Sequence, residues 1–265
     1  MSAVFTKLFH LPGAKWWMDG QTVSLLPTDY GDIHIPFAGR LDLLQSMRRH
    51  GVEKHVHASD ISVRLVLAHV GVRNHPEEVI EVLEDHRRNH SPDYYLQIRD
   101  RFAPDMPPAM AAADYIYISR NSYWGIIRMS ADGRCTNLNA RTGFNFSPES
   151  VRRHADFLRS TTLTAEDFAP AVLKAKAGDL VFLDPPYPLC HVHGSPRFTD
   201  EDHYRLAHVC RSLHRHGVLF IVTNGNTPFI RQIYRHFCIS EIEAPRTLGR
   251  AKNGGRATEL IITNY

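Results

Sequence analysis

Residues 179–190 read DLVFLDPPYPLC. Val181, Phe182 and Leu183 have the unbroken apolar character of a strand covered on both faces. Proline cannot donate to a sheet ladder, so Pro185 and Pro186 end that strand at or near Asp184. Open α/β sheets bind their ligands outside the carboxyl ends of parallel strands. A carboxylate at such an end, followed by a stiff backbone and the ring of Tyr187, is a candidate site.

The flanking sequence repeats the pattern. DIHIPF (32–37) reads as a strand closed by a Pro-Phe-Ala-Gly turn, and LDLLQSMRRHG (41–51) as a helix stopped by Gly51. KHVHASD (54–60) is a second strand ending on Asp60, followed by the helical ISVRLVLAHV. Alternating strands and helices signal a parallel sheet. The middle of the chain breaks the alternation. PEEVIEVLEDHRRNH (76–90) is an amphipathic helix with Pro76 at its start and bases at its end. The stretch from Ala109 to Gly125 is apolar and aromatic, and Asp132-Gly133 lies between two short extended runs, a hairpin signal. After a helix over 148–159 the α/β pattern resumes: the strand at 179–184, a helix from Thr199 to His216, the strand GVLFIVTNG (217–225) and the helix TPFIRQIYRHF (227–237). Two strands, CISEIEA and TELIITN, close the chain with no helix between them, which requires an antiparallel neighbour.

Composition narrows the classes. A chain of 265 residues that is 43% hydrophobic and 22% charged can bury a large core. A net charge of +3 makes no bulk electrostatic case for nucleic acid, although arginine clusters can make one face positive. Four scattered cysteines form no CxxC pair, so neither a disulfide framework nor a zinc knuckle is indicated and a reduced, cytoplasmic setting is expected. No apolar run reaches membrane-spanning length. Cys190-His191-Val192-His193 has metal-ligating residue types but no partner cluster, and no metal is expected.

The tetrapeptide Asp184-Pro185-Pro186-Tyr187 suits one chemistry. An exocyclic amino group on a purine is a poor nucleophile because its lone pair is delocalised into the ring. A carboxylate and a proline carbonyl that accept its two N–H bonds favour a pyramidal nitrogen with an available lone pair. The prolines fix the carbonyl's direction, and a tyrosine ring offers a stacking face to an extruded base.

With these blocks in order, the chain resembles the Dam-like, D12-class (alpha group) family of adenine-specific DNA methyltransferases. LPGAKWW resembles the family's first block, with Lys15 and Trp16 in matching places. IPFAG (35–39) resembles the loop after the first strand, and ASDIS (58–62) the block whose acid is here Asp60. YISRNSYWG (117–125), with Arg128 and the hairpin after it, is similar to the block before the DNA-reading elements. DPPY, FTDEDHYRL, TNGNTPFIRQIY and the closing NGGRATELIITNY follow.

The resemblance implies a Rossmann-like α/β fold using S-adenosylmethionine to methylate the N6 amino group of an adenine flipped from double-stranded DNA, in restriction-modification or a related setting. It implies a catalytic domain over 1–70 and 151–265, and an inserted, mainly helical target-recognition subdomain with a β-hairpin over 71–150. Asp184 and the Pro185 carbonyl would hold the amino group, with Pro186 stiffening the turn and Tyr187 stacking on the base. Phe37, Gly39 and Asp184 would line the cofactor, Asp60 its ribose, and Lys15 and Trp16 its adenine or methionine side. Arg120, Tyr123, Arg128 and Arg134 around the hairpin, and Arg246, Arg250, Lys252 and Arg256 in the glycine-bearing loop near the end, are the candidate DNA contacts.

The first loop departs from the family pattern. Ile35 replaces an acid, WMDGQ follows Trp16 in place of a small-residue pair and a lysine, and Arg40 and Leu41 follow Gly39 where a second glycine is usual. Arg40 is a candidate partner for the methionine carboxylate. The altered loop motivates a rival reading, a catalytically degenerate relative that binds DNA or a partner without turnover. A modifier of RNA, or one with a different donor, is the other alternative.

Overall fold

The structure, a computed structural model, describes residues 8–13, 15, 18–103, 105–138, 142–188, 198–245 and 256–265. Seven strands form one mixed sheet: β1 Ile33–Ile35, β2 Val56–Asp60, β3 Thr161–Ala165, β4 Leu180–Leu183, β5 Leu219–Gly225, β6 Cys238–Pro245 and β7 Arg256–Thr263. Their spatial order is β3-β2-β1-β4-β5-β7-β6. The first five are parallel, while β7 runs antiparallel to both β5 and β6. The helices, in chain order, are α1 Asp19–Thr22, α2 Asp42–Arg49, α3 Val63–Asn74, α4 Pro76–Asn89, α5 Pro92–Arg101, α6 Pro108–Asn121, α7 Pro148–Phe157, α8 Phe168–Val172, α9 Asp200–Arg215 and α10 Pro228–Ile233.

The strand–helix alternation holds, with edges trimmed: the first strand is only three residues long, and the helix expected over 227–237 ends at Ile233. Four elements escaped it: α1, α5, β3 and α8. β3 and α8 lie between α7 and β4, where a plain connection was expected. The strand TTLTA has a single large apolar residue, Leu163, and sits at the sheet edge beside β2. Period-2 hydrophobicity therefore carries almost no signal there, and only its threonines mark it as extended.

The unbroken apolar run of β4 has a direct structural cause. Val181 and Leu183 pack with Leu206, Ala207 and Cys210 of α9 on one face, while Leu180 and Phe182 pack with Leu43, Leu44 and Met47 of α2 on the other. Both faces of the strand are thus dry, at roughly 1.5–3 kcal/mol per large side chain. A third core joins α3 to α7 with Leu8 and Phe9. Residues 71–150, expected as an inserted subdomain, share that core with Leu65 and Ala68 of α3 and Val151 of α7. The Asp132-Gly133 turn forms: Ser130 N–H reaches Arg134 O at 2.8 Å, Gly133 adopts φ 79°, and a single antiparallel bridge pairs Met129 with Cys135. Buried Asn137 braces it, accepting from the Arg128 N–H at 2.6 Å and donating to Ser122 Oγ at 2.8 Å and Ile126 O at 2.6 Å.

Among the described residues no helix is long and apolar enough to cross a membrane.

Candidate functional site

The spatial order of the parallel strands reverses between β1 and β4, which makes their carboxyl ends the topological switch point of the sheet. The loop after β1 carries Phe37–Gly39, and Asp184 directly follows the last residue of β4, Leu183. Asp60 ends β2, the next strand outward.

The β2 end is built by successive caps. Asp60 Oδ1 accepts the Ser62 N–H at 2.9 Å, and Ser62 in turn caps α3 by accepting from Leu65 N–H. Asp60 Oδ2 accepts the Gly39 N–H at 3.1 Å, tying the β1 loop to β2. Burial raises the Asp60 carboxyl pKa, while the two N–H donors pull it back. Each oxygen keeps a lone pair for a further donor.

Gly39 adopts φ 48°, with no atom within 4 Å of where a Cβ would stand. Its carbonyl accepts from His69 Nε2 at 2.8 Å, and His69 Nδ1 lies 3.0 Å from His154 Nε2. A carbonyl only accepts, so Nε2 carries the His69 proton and His154 donates to Nδ1. Both imidazoles are fully buried, and burial pushes His69 down to about 4 and His154 well below its ordinary value. The neutral pair fastens the loop to α3 and α7.

Two residues on, Leu41 occupies the left-handed region at φ 58° and ψ 34°, the position where the resemblance expects glycine. Its side chain is 1% exposed. Arg40, expected at a methionine carboxylate, has its guanidinium forked onto Asp42 at 2.8 Å to each oxygen. A carboxylate ligand there would have to share it. Asp42 also accepts the Lys15 N–H at 2.9 Å, so it joins the N-terminal segment to the loop at the start of α2.

Lys15 was expected on the cofactor. Its ammonium sits at the DPPY end, 2.7 Å from the Tyr187 hydroxyl, 3.2 Å from Asp184 Oδ1 and 3.4 Å from Glu259 Oε2. Lys15 thus reaches the carboxyl ends of the central strands β4 and β5, which the sequence does not reveal. Thr223 on β5 also donates to Asp184 Oδ1. Oδ1 is thus held from two sides, and no hydrogen bond from a described residue reaches Oδ2. The Tyr187 hydroxyl donates to Glu259 Oε2 at 2.7 Å, and burial beside Asp184 and Glu259 raises its pKa. Glu259 and Thr223 were missed as site residues. Their signal was modest: both lie in the closing blocks TNGNTPF and ELIITNY, on the β5–β7 ladder.

Phe37 stacks on Phe168 at 5.3 Å between centroids, with Phe198 edge-on to Phe37 at 5.8 Å. Phe168 follows β3 directly, so missing that strand hid it. Arg205 covers Phe168 at 4.2 Å and grips Asp167 through both oxygens at 2.9 and 2.8 Å.

The candidate DNA contacts scatter more widely. Arg120 lies in the last turn of α6, Tyr123 is 66% exposed, and Arg128 is exposed beside the hairpin. Arg134 pairs with Asp132 of the same turn at 2.5 Å, which largely cancels its charge locally. Arg256 opens β7 and is exposed. Trp16, Arg246, Arg250 and Lys252 lie outside the described residues, as do Cys190, His191 and His193. Among the described residues no group of three or more His, Cys, Asp or Glu side chains is arranged to hold a metal ion.

Residues 12–248 match the family described as D12 class N6 adenine-specific DNA methyltransferase. The chain is 29% identical over 259 residues to Type II methyltransferase M1.LlaDCHI of Lactococcus lactis subsp. cremoris, covering 91% of this chain and 89% of that protein. It is 30% identical over 175 residues to the Retron Ec67 DNA adenine methylase of Escherichia coli, covering 63% of this chain and 60% of that protein. It is also 26% identical over 283 residues to Type II methyltransferase M.MjaIII of Methanocaldococcus jannaschii, covering 94% of this chain and 97% of that protein.

Proposed function

The chain belongs to the D12 class N6 adenine-specific DNA methyltransferase family, and from that premise we propose that it methylates an adenine flipped out of duplex DNA, with Asp184 and the Pro185 carbonyl holding the N6 amino group. S-adenosylmethionine, when bound, supplies an electrophilic sulfonium methyl. The residues at the β1 and β2 ends suit it: the open space beside Gly39, the Phe37–Phe168–Phe198 cluster for an adenine ring, and Asp60 with an acceptor position left for ribose hydroxyls. Lys15 belongs to the target-base side of this reading rather than the cofactor side.

One observation carries it: the Asp184 carboxylate stands at the switch point with Oδ1 engaged by Thr223 and Lys15. That fixes the rotation of the group and presents Oδ2 to the incoming amine. Asp184 and Pro185 O accept the two amino protons, so the nitrogen lone pair turns toward the methyl. Catalysis is then positioning and polarisation in a site preorganised before the substrate arrives. The Tyr187 ring, anchored by its hydroxyl, offers the base a fixed surface. Extruding the base costs a few kcal/mol of unstacking, and the exposed Tyr123 and Arg128 beside the hairpin are the proposed duplex contacts. The degenerate-binder reading loses its motive at Leu41, whose backbone keeps the left-handed path a glycine would take.

The test is mass spectrometry of nucleosides from the DNA of cells expressing the protein. N6-methyladenine is expected with the wild type and absent with Asp184→Ala. Equal levels in both would overturn the assignment of Asp184.

A further inference from the structure

We propose that Glu259 is the charge-compensating residue of the target-base site, offsetting Lys15 so that Asp184 keeps its negative charge for the nitrogen being methylated. The inference rests on the methyl-transfer reading and goes one step further, to a residue on a different strand.

The reaction fixes what the site must do electrostatically. The N6 lone pair forms the new N–C bond while the S–C bond breaks and leaves its electrons on sulfur. Positive charge therefore crosses from sulfur to N6, and one N–H proton then passes to Asp184 and on to water. A site that favours this step carries net negative charge beside N6. Lys15 opposes it. Its ammonium is 3.2 Å from Asp184 and only 10% exposed, and cancelling the Asp184 charge would leave a neutral pocket facing a forming cation. Nor does the lysine escape by losing its proton: although burial works against the charged form, Asp184 and Glu259 together raise its pKa.

Glu259 resolves the conflict. Its carboxylate is 3.4 Å from the ammonium and 16% exposed, on the strand that pairs with β5. Asp184, Glu259 and Lys15 then sum to a single negative charge, and Lys15 can fix the rotation of Asp184 without neutralising the site. The same Oε2 accepts the Tyr187 hydroxyl at 2.7 Å, so one carboxylate sets both the charge and the ring. Glu259 is in this sense a positioning residue, acting through Lys15 and Tyr187.

The experiment uses the full chain, with labelled S-adenosylmethionine and duplex DNA. Glu259→Gln preserves shape and an acceptor for Tyr187 but removes the charge. It is expected to lower kcat about tenfold or more, with cofactor Kd and DNA KM within about twofold. Adding Lys15→Met to Glu259→Gln returns the pocket to one negative charge, and the double variant is expected to turn over faster than Glu259→Gln alone. A purely structural role predicts the reverse, since the second change removes further contacts. Glu259→Asp, which keeps the charge on a shorter arm, is expected to be faster than Glu259→Gln. Wild-type kcat in Glu259→Gln, or a double variant slower than the single, overturns the proposal. A wild type that transfers no methyl group overturns the underlying reading and this inference with it.

Discussion

Leu41 and His69 show how single residues hold the loop after β1. A non-glycine residue in the left-handed region costs roughly 1–2 kcal/mol, and Leu41 accepts that cost while burying its whole side chain among Met18, Leu44 and Met47. Burial outweighs strain, so every truncation destabilises. The order of truncations is diagnostic, because Leu41→Gly relieves the strain and Leu41→Ala does not. Denaturant unfolding is expected to place the glycine variant about 1 kcal/mol above the alanine variant, the opposite of the usual ranking in regular structure.

His69 makes a pH prediction at the same scale. Its ordinary pKa of 6.5 is pushed to about 4 in the fold because burial penalises the charged ring. Above 6.5 both folded and unfolded forms are neutral, so nothing is lost. Below 6.5 the unfolded chain gains protons that the fold refuses, and stability falls until the folded group titrates near 4. That window corresponds to a loss on the order of 3 kcal/mol from His69, with His154 shifted in the same direction. His69→Gln, which can still donate to Gly39 O, is expected to flatten the decline in urea midpoint between pH 6.5 and 4.5. An unchanged slope would show that other groups carry it.

At the scale of elements, α3 and α6 cross at Gly71. A Cβ there would stand 2.2 Å from Pro108 O and 2.7 Å from the Ala112 side chain, so the glycine is what lets the two backbones approach. Gly71→Ala is helix-favouring in isolation by about 1 kcal/mol. It is nonetheless expected to destabilise by roughly 1–3 kcal/mol through overpacking, read as a lowered Tm. The central strands were legible because their signals are local: a continuous apolar run, a terminating Pro-Pro pair, a helix stop such as Gly51. β3 was not, because an edge strand of three threonines, an alanine and one leucine has little hydrophobic contrast. The hairpin was readable from Asp132-Gly133, whereas its brace, Asn137, depends on Ser122 and Ile126, which only the folded chain brings near it.

Over the whole molecule, the site exists because the strand order reverses between β1 and β4. The groups proposed for the cofactor lie at β1, β2 and β3, those proposed for the target base at β4, β5 and β7, and Lys15 touches both sets, through its backbone N–H to Asp42 and its ammonium to Asp184. Binding energy gained at Asp60 is therefore felt as stability of the entire fold. At a hundredfold excess over Kd, S-adenosylmethionine is expected to add about 2.7 kcal/mol, seen as a rise in Tm. Asp60→Ala should abolish that rise, while Asp184→Ala should keep it. A rise that persists in Asp60→Ala would remove the acid from the cofactor site.

The sequence alone determined the parallel α/β order, the strand end at Asp184, the acid at Asp60 and the chemical character of DPPY, because these depend on residues adjacent in the chain. Tertiary structure decided that the Lys15 ammonium sits beside Asp184, that Arg40 closes on Asp42, and that Glu259 stands next to Lys15 and Tyr187. Those outcomes follow from separations of 169, 2 and 75 residues between Lys15 and Asp184, Arg40 and Asp42, and Asp184 and Glu259. The short separation was no easier than the long ones. A charged side chain chooses its partner by where folding places its tip, and local sequence does not encode that position.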